Sequence, residues 1–296
     1  MSRETVAPTP VAFPAEGRRS RLALPAIRAR LLLHLSLMAG AVLLLFPFYW
    51  MITTSLKTLE EASLFPPTMW PSAWRIENYG VAWNLAPFGR YFINTIFVAC
   101  MQTLGVLTTS ALAAYAFTRI NFAGKNLVFV GFLATMMIPF EVTLVPNFII
   151  LKHLHWYNTF LALVVPWSAS VFAIFLLRQF FRSIPRDLYD AAEIDGCGRL
   201  AFLWRIALPL STPALITIGL FSFLGAWNAL LWPLIVTGDE EMRMLQVGLS
   251  AFQSEAQTQY HLWMAAATFT MAPVIAIYFV AQRYFIEGVS ASGIKG

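Results

Sequence analysis

Long blocks of apolar residues follow one another along most of this chain, and they constrain its fold more than any other feature. Each block approaches the roughly 20 residues that an α-helix needs to cross the hydrocarbon core of a membrane. Because lipid offers no hydrogen bonds, the backbone of such a block must bond internally, as a helix does. The sequence therefore predicts an all-α integral membrane protein, with one domain over 31–296 and about six transmembrane helices, near 31–52, 92–117, 127–150, 159–178, 210–236 and 262–282.

The composition favours lipid over water as the solvent. Hydrophobic residues make up 58% of the 296 residues and charged residues 12%, about half the charged fraction of an average soluble domain. The formal net charge of +5 comes from basic residues that flank the apolar blocks, which is typical of membrane topology and argues against nucleic-acid binding. Two cysteines and four scattered histidines indicate neither a disulfide framework nor a metal site.

The distribution of Lys and Arg predicts the orientation of the blocks. Residues 1–30, which are rich in Pro and Arg, are predicted to form a flexible cytoplasmic tail. Fifteen of the 20 Lys and Arg residues lie in this tail, in 118–126, in 178–205 or near the C-terminus. Since positive residues concentrate on the cytoplasmic side, both termini are predicted to be cytoplasmic and 53–90 to be an extramembrane loop on the other side.

The segment 183–209, between the fourth and fifth blocks, differs from an ordinary connection. Pro185 suits the first turn of a helix, and Asp187 near its start complements the helix dipole. Gly196 permits a sharp turn, after which 199–208 is helical again. The pattern predicts a short helix, a glycine turn and a second helix on the cytoplasmic face. Taken alone, it fits an amphipathic interfacial connector equally well.

This segment resembles the EAA loop of binding-protein-dependent ABC importers, because D-A-A-x-x-D-G at 190–196 is followed by Pro209, thirteen residues beyond the glycine. Asp190 stands where that family usually has Glu, which keeps the charge and shortens the reach. Further stretches resemble the carbohydrate-uptake branch, in particular the smaller maltose-permease-type subunit. They are Ala113–Phe117 with Arg119, Met137–Pro139, Trp227-Asn228 and the ending Ser292–Gly296.

The resemblance implies a maltose-permease-like fold with a cytoplasmic coupling helix between helices 4 and 5, which docks into a groove on an ATP-binding subunit. The residues expected to couple to that subunit are Asp190, Ala191, Ala192, Asp195 and Gly196. The small side chains of Ala191 and Ala192 are expected to let the helix lie close to its partner. The tail residues expected to reach the same subunit are Gly293, Lys295 and Gly296.

The resemblance also implies partners and a location. We expect a second homologous permease subunit, two cytosolic ATP-binding subunits and an extracytoplasmic solute-binding protein, in the cytoplasmic membrane of a bacterium or archaeon. The sequence holds no G-x-x-x-x-G-K-[ST] phosphate loop and no catalytic motif. The chain is therefore expected to be no enzyme and to bind no cofactor, with Mg-ATP held by the partner subunits.

Prolines and polar residues inside the apolar blocks point to irregular helices or to a pathway. Proline removes a helix hydrogen bond, so kinks or breaks are predicted at Pro139, Pro146 and Pro273. Glu141 and Asn228 are candidate pathway-lining residues. Glu141 either faces a cavity or is wetted at a break beside Pro139. Asn228 either contacts substrate hydroxyls or bonds a neighbouring helix.

Other classes of protein fit less well. An ion-coupled secondary transporter predicts two repeated halves and a charge relay at the membrane midplane, whereas the blocks hold one interior acid and no evident repeat. An intramembrane enzyme is a further alternative. The substrate stays open among disaccharides, longer oligosaccharides and glycerol phosphate esters.

Overall fold

The structure is a computed structural model that describes residues 23–252 and 259–292. All regular structure in these residues is helical, which confirms the predicted all-α fold class. The predicted tail residues 1–22 and the predicted contact residues Gly293, Lys295 and Gly296 lie outside the described ranges.

The helices follow one another in chain order, with short loops between most of them. They are α1 (Ala23–Ser55), α2 (Leu59–Ala62), α3 (Glu77–Asn84), α4 (Phe88–Arg119), α5 (Lys125–Thr135), α6 (Phe140–His153), α7 (Phe160–Val164), α8 (Val171–Ser183), α9 (Arg186–Ile194), α10 (Arg199–Phe202), α11 (Leu208–Leu210), α12 (Thr212–Trp227), α13 (Leu231–Val236), α14 (Leu245–Ser250) and α15 (Tyr260–Ser292). A 3-10 turn extends α7 over Val165–Trp167, a π-helical turn links α10 to α11 over Leu203–Ala207, and a 3-10 turn at Glu240–Met242 precedes α14.

The described residues fall into two compact units, one that ends at Trp50 and one that begins at Met51. In the first, α1 begins at Ala23, inside the predicted tail, because residues 23–30 are mostly good helix formers and Pro25 lies in the first turn. The helix therefore begins before the predicted span near 31–52, and its apolar part, Ala29–Ser55, is long enough to cross a membrane. The long apolar side chains between Leu31 and Leu45 are exposed, as expected of a helix solvated by lipid. A single domain over 31–296 stays a prediction.

Three helical stretches are long and apolar enough to cross a membrane alone, namely Ala29–Ser55, Phe88–Arg119 and Tyr260–Val280. Three further pairs meet the same criterion only together, because each pair is bent. The bends are 98° between α5 and α6, 41° between Phe160–Trp167 and α8, and 83° between Arg199–Leu210 and α12. The described residues thus hold three to six spans, and the count of six stays a prediction.

Pro139 accounts for the sharpest bend. It precedes α6 with φ −61° and ψ 140°, an extended conformation, so the predicted helix at 127–150 is in fact two helices. The break predicted at this proline is confirmed. By contrast, α6 and α15 continue through Pro146 and Pro273, as membrane helices often do.

Two other predicted helices are also divided. The block 210–236 separates into α12, which ends at Trp227, and α13, which begins at Leu231. The block 159–178 is interrupted before α8, whose first turn is capped by the hydroxyl oxygen of Ser170. The apolar pattern did not indicate either interruption, because the residues on both sides of each one are hydrophobic.

Helix α4 is the element around which the second unit packs, with α8, α12 and α14 against it. Its buried side chains recur every three or four residues and form a single covered face. They are Phe88, Tyr91, Asn94, Thr95, Val98, Ala99, Gln102, Val106, Ser110, Ala111, Ala114, Tyr115 and Phe117. Ser110, Ala111 and Ala114 are at most 3% exposed, and their small side chains let neighbouring helices pack closely against α4.

Gly105 brings α4 against the interruption before α8. A Cβ atom at Gly105 would lie 2.7 Å from Cβ of Ser168 and 3.1 Å from its Cα. The Thr109 hydroxyl donates to the Ser168 carbonyl at 2.8 Å, which satisfies part of the backbone left open there. The close approach therefore requires a residue without a side chain.

The predicted extramembrane loop at 53–90 is folded around buried polar groups. The Glu61 carboxylate accepts hydrogen bonds from the Ser72 amide (2.9 Å), the Ser72 hydroxyl (2.9 Å) and the Thr68 hydroxyl (3.1 Å). The Lys57 ammonium donates to the Thr68 carbonyl. Burial raises the pKa of Glu61. The hydrogen bonds from Ser72 and Thr68 and the nearby charge of Lys57 lower it by more than burial raises it, so the pKa lies below its ordinary value.

Glu61→Gln tests this cluster through its pH dependence. A lowered pKa stabilises the fold above the ordinary value of 4.5, and that contribution is lost as the pH falls through the lowered pKa. We expect the variant to unfold at lower temperature than wild type at pH 7 and the difference to shrink below pH 4.5. Thermal unfolding in detergent measures it. Glu60→Gln, at the exposed neighbouring position, is the control, and an equal effect of both changes would contradict the assignment.

Gly105→Ala is expected to destabilise the protein by about 1–3 kcal/mol, because the added methyl group overpacks against Ser168. Gly131→Ala is the matched control, since a Cβ at Gly131 meets no atom within 4 Å and alanine favours a helix. Thermal unfolding of the two purified variants compares them directly. Equal unfolding midpoints would show that α4 does not depend on this contact.

Candidate functional site

The segment 183–209 has the local structure that its sequence predicts. Helix α9 begins after Pro185, and its C-terminal turn closes through hydrogen bonds from the Gly196 amide to the Glu193 carbonyl (3.0 Å) and from the Cys197 amide to the Ala192 carbonyl (2.8 Å). Gly196 has φ +76°, in the left-handed region that other residues rarely adopt. The glycine is therefore required by the turn that separates α9 from α10.

The two faces of α9 differ. Tyr189 and Ala192 pack against the core formed by α4, α8, α10 and α12, and Ala192 is 7% exposed. The small side chain of Ala192 thus lets α9 lie close to its own chain, and its expected part in the contact with a partner stays a prediction. Asp190, Ala191 and Asp195 are exposed, and their role in coupling stays a prediction.

Basic side chains near the ends of α4 and α8 donate to each other's terminal carbonyls. Arg119, the last residue of α4, donates to the Ile184 carbonyl just beyond α8 at 3.0 Å. Arg178 of α8 donates in return to the Phe117 carbonyl of α4 at 3.4 Å. Lys125 donates to two more carbonyls at the end of α4, at 3.2 and 2.9 Å. Because helix C-termini carry partial negative charge, these cations hold the two ends together.

A cavity of about 490 Å³ lies where the bent helices are interrupted. It borders the start of α6, the turn before α8 and the break between α12 and α13. Its lining residues are Gln102, Val106, Phe140, Leu163, Trp167, Ala169, Ser170, Ser222, Gly225, Ala226, Ala229, Leu230, Leu231, Trp232, Pro233 and Met244. Non-helical backbone at membrane depth is tolerated where it lines a cavity, so the breaks and the cavity belong together.

Three aromatic rings form one wall of this cavity. The ring centroids of Phe140 and Trp167 are 5.1 Å apart, and each lies 6.1 Å from that of Trp232. The Trp232 indole donates to the Ala162 carbonyl at 2.9 Å, and the Gln102 amide donates to the next carbonyl at 2.8 Å. These bonds fix the two side chains and satisfy backbone left open at the end of α7.

The predicted pathway residues lie beside this cavity and are not among its lining residues. Glu141 is exposed in the first turn of α6, next to Phe140. Asn228 is exposed and donates to the Leu224 carbonyl of its own helix at 2.9 Å. Sequence reasoning missed Trp167 and Trp232, although each is adjacent to a proline inside an apolar block. That pairing of an aromatic residue with a helix-breaking one was the available signal.

Apolar helices of membrane-spanning length with a cavity at their breaks are typical of a membrane component of a transport system. The chain belongs to the family described as binding-protein-dependent transport system inner membrane component, which matches residues 103–291. Membership confirms the predicted permease subunit of an ABC importer, which is not itself the ATP-hydrolysing subunit, and disfavours an ion-coupled transporter.

The chain is similar to named permeases over most of its length. It is 35% identical over 266 residues to the sn-glycerol-3-phosphate transport system permease protein UgpE of Yersinia enterocolitica, covering 86% of this chain and 94% of that protein. It is 33% identical over 270 residues to the arabinooligosaccharides transport system permease protein AraQ of Bacillus subtilis, covering 90% and 96%. A crystal structure of a bacterial ABC transporter involved in the import of the acidic polysaccharide alginate shares its fold, with a TM-score of 0.75, 24% identity and coverage of 92% and 100%.

Proposed function

We propose that this chain forms half of the translocation pathway of an importer for a carbohydrate or a glycerol phosphate ester, and that α9 couples it to a separate ATPase. A second homologous permease would complete the pathway, and two cytosolic subunits would bind Mg-ATP. The family name itself supports a solute-binding protein as a further partner. Under this proposal the chain crosses the cytoplasmic membrane six times with both termini inside.

The proposed coupling role rests on the exposed side of α9, opposite Tyr189 and Ala192, which we call its open face. Leu188 and Ile194 are 45% and 85% exposed there, interspersed with Asp190 and Asp195. Apolar side chains exposed on a polar helix are typical of a docking surface. The opposite face is held by the core, so a force on the open face acts on a helix anchored to the membrane domain. Gly293, Lys295 and Gly296 are proposed to add contacts to the same ATPase.

The cavity supports a polar organic cargo. Its volume lies within the range of about 300–1,000 Å³ that is usual for small-molecule sites. Aromatic rings offer apolar faces, while the Gln102 carbonyl oxygen and the hydroxyl groups of Ser170 and Ser222 offer hydrogen bonds. A sugar presents both kinds of surface. The names of UgpE and AraQ indicate cargoes of this chemistry for related permeases.

The bends suggest how the pathway opens. In alternating access, rigid helix groups rock about a site near the middle of the membrane. The bends of 98° and 41°, between α5 and α6 and before α8, lie at the cavity, and the break between α12 and α13 borders it as well, so the helices on either side have natural hinges there. ATP-driven closure of the ATPase dimer would pull on α9 and tilt the attached halves.

Gly196→Val tests the coupling role of α9. A β-branched residue is strained at φ +76°, so the variant should misplace α9 relative to its ATPase groove. We expect transport and ligand-stimulated ATP hydrolysis in reconstituted complexes to fall at least about tenfold, as when a packed docking element is lost. Asp190→Ala should be milder, because one exposed charge contributes little.

Gly198→Ala is the matched control, since Gly198 has φ −67° and a Cβ there meets no atom within 4 Å. It should transport as wild type does. Normal uptake and normal stimulation of ATP hydrolysis with Gly196→Val would show that this segment is only a connector.

Cysteine labelling tests the cavity as part of the pathway. In a chain with Cys100 and Cys197 replaced, Ser222→Cys should react with a hydrophilic thiol reagent, at a rate that changes several-fold between nucleotide-free and ATP-trapped complexes. Leu104→Cys is the control, because Leu104 is 59% exposed on α4 and lipid there should suppress the reaction. Failure of Ser222→Cys to react in either state would contradict the proposal. Cysteines at Glu141 and Asn228 test those predicted pathway residues in the same way.

A further inference from the structure

Arg119 contacts the end of α8 and both helices that flank the Gly196 turn. Its Nη2 atom lies 3.0 Å from the Ile184 carbonyl oxygen and 3.5 Å from that of Phe181. Its guanidinium carbon lies 5.4 Å from the ring centroid of Tyr189 in α9 and 6.0 Å from that of Phe202 in α10. One side chain at the end of α4 therefore touches three other helices.

The contacts suit arginine rather than lysine. A guanidinium is planar, permanently charged and able to stack on aromatic rings while donating in its plane. Both ring distances fall within the roughly 6 Å over which a cation is attracted to an aromatic face. The rings themselves pack edge to face, with centroids 5.0 Å apart. Since Arg119 is partly buried, water screens these interactions less than it does at a surface.

We propose that Arg119 is a positioning residue through which movement of α9 reaches α4 and α8. The proposal rests on the coupling role of α9. If α9 tilts, Tyr189 moves with it and displaces the guanidinium of Arg119. The guanidinium is hydrogen-bonded to the end of α8, and Arg119 itself is the last residue of α4, so both helices follow. Because Gln102 and Val106 of α4 line the cavity, and α8 begins directly after its lining residue Ser170, the displacement reaches the pathway. Arg178 and Lys125 both donate to the end of α4, and among the described residues neither forms a hydrogen bond or a ring contact with α9.

Arg119→Ala in reconstituted complexes tests the proposal. The ATPase should still bind, because the open face of α9 is unchanged, and basal ATP hydrolysis should persist. Stimulation by the loaded binding protein should fall roughly tenfold, together with uptake. A loss of stimulation with basal hydrolysis retained is uncoupling, which general destabilisation of the fold would not produce. Arg119→Lys should recover only part of the stimulation, because it restores the charge without the planar stack.

Two further comparisons isolate the stacking contact. Tyr189→Phe keeps the ring beneath the guanidinium and should behave as wild type, whereas Tyr189→Leu should uncouple as Arg119→Ala does. Arg182→Ala removes an exposed arginine from the same end of α8 and should leave coupling unchanged. If Arg119→Ala does not assemble, the Tyr189 pair decides the question.

Wild-type stimulation in Arg119→Ala, or equal behaviour of Tyr189→Phe and Tyr189→Leu, would overturn the proposal. Either result would leave the coupling role of α9 intact as long as Gly196→Val still uncouples the complex. If instead the wild-type chain recruits no ATPase, the proposed function itself fails.

Discussion

The backbone of a chain in lipid must satisfy its own hydrogen bonds, and the rest of this structure depends on how that requirement is met. Straight helices meet it by themselves. Where the helices break, at Pro139, before Ser170 and after Trp227, other groups take over. Thr109, Gln102 and Trp232 donate to carbonyls near these breaks. Polar side chains in the membrane interior thus replace missing helix bonds, and the space beside them becomes the cavity.

The same requirement operates at the helix ends. Terminal carbonyls of α4 and of the chain just after α8 receive their hydrogen bonds from Arg119, Arg178 and Lys125. Arg119 of α4 donates to a carbonyl just after α8, and Arg178 of α8 donates to a carbonyl of α4. These two hydrogen bonds therefore join the ends of the helices, whereas a separate cap would satisfy only its own helix. Basic residues at these helix ends thereby also contribute to packing.

Features set by local sequence were predicted well, and features set by packing were not. The apolar lengths of α4 and α15 predicted helices, and the Asp195-Gly196 pair predicted a turn that the positive φ of Gly196 confirms. The inward position of Ala192 depends on which face of α9 meets the core, which no local pattern records. The cavity depends on residues more than a hundred positions apart, such as Gln102 and Trp232. A single sequence gives no distance between them.

The π-helical turn at Leu203–Ala207 has a consequence for changes in chain length. Phe202 and Leu203 are buried, and so are Ala207 and Leu208 five positions later. In an α-helix residues five apart point about 140° away from each other, but the wider π turn places both pairs on one face. Deleting one residue between the pairs would restore a spacing of four, which an ordinary α-helix also keeps on one face. This stretch can therefore absorb a single-residue deletion that would rotate the remainder of α12 if it occurred within that helix.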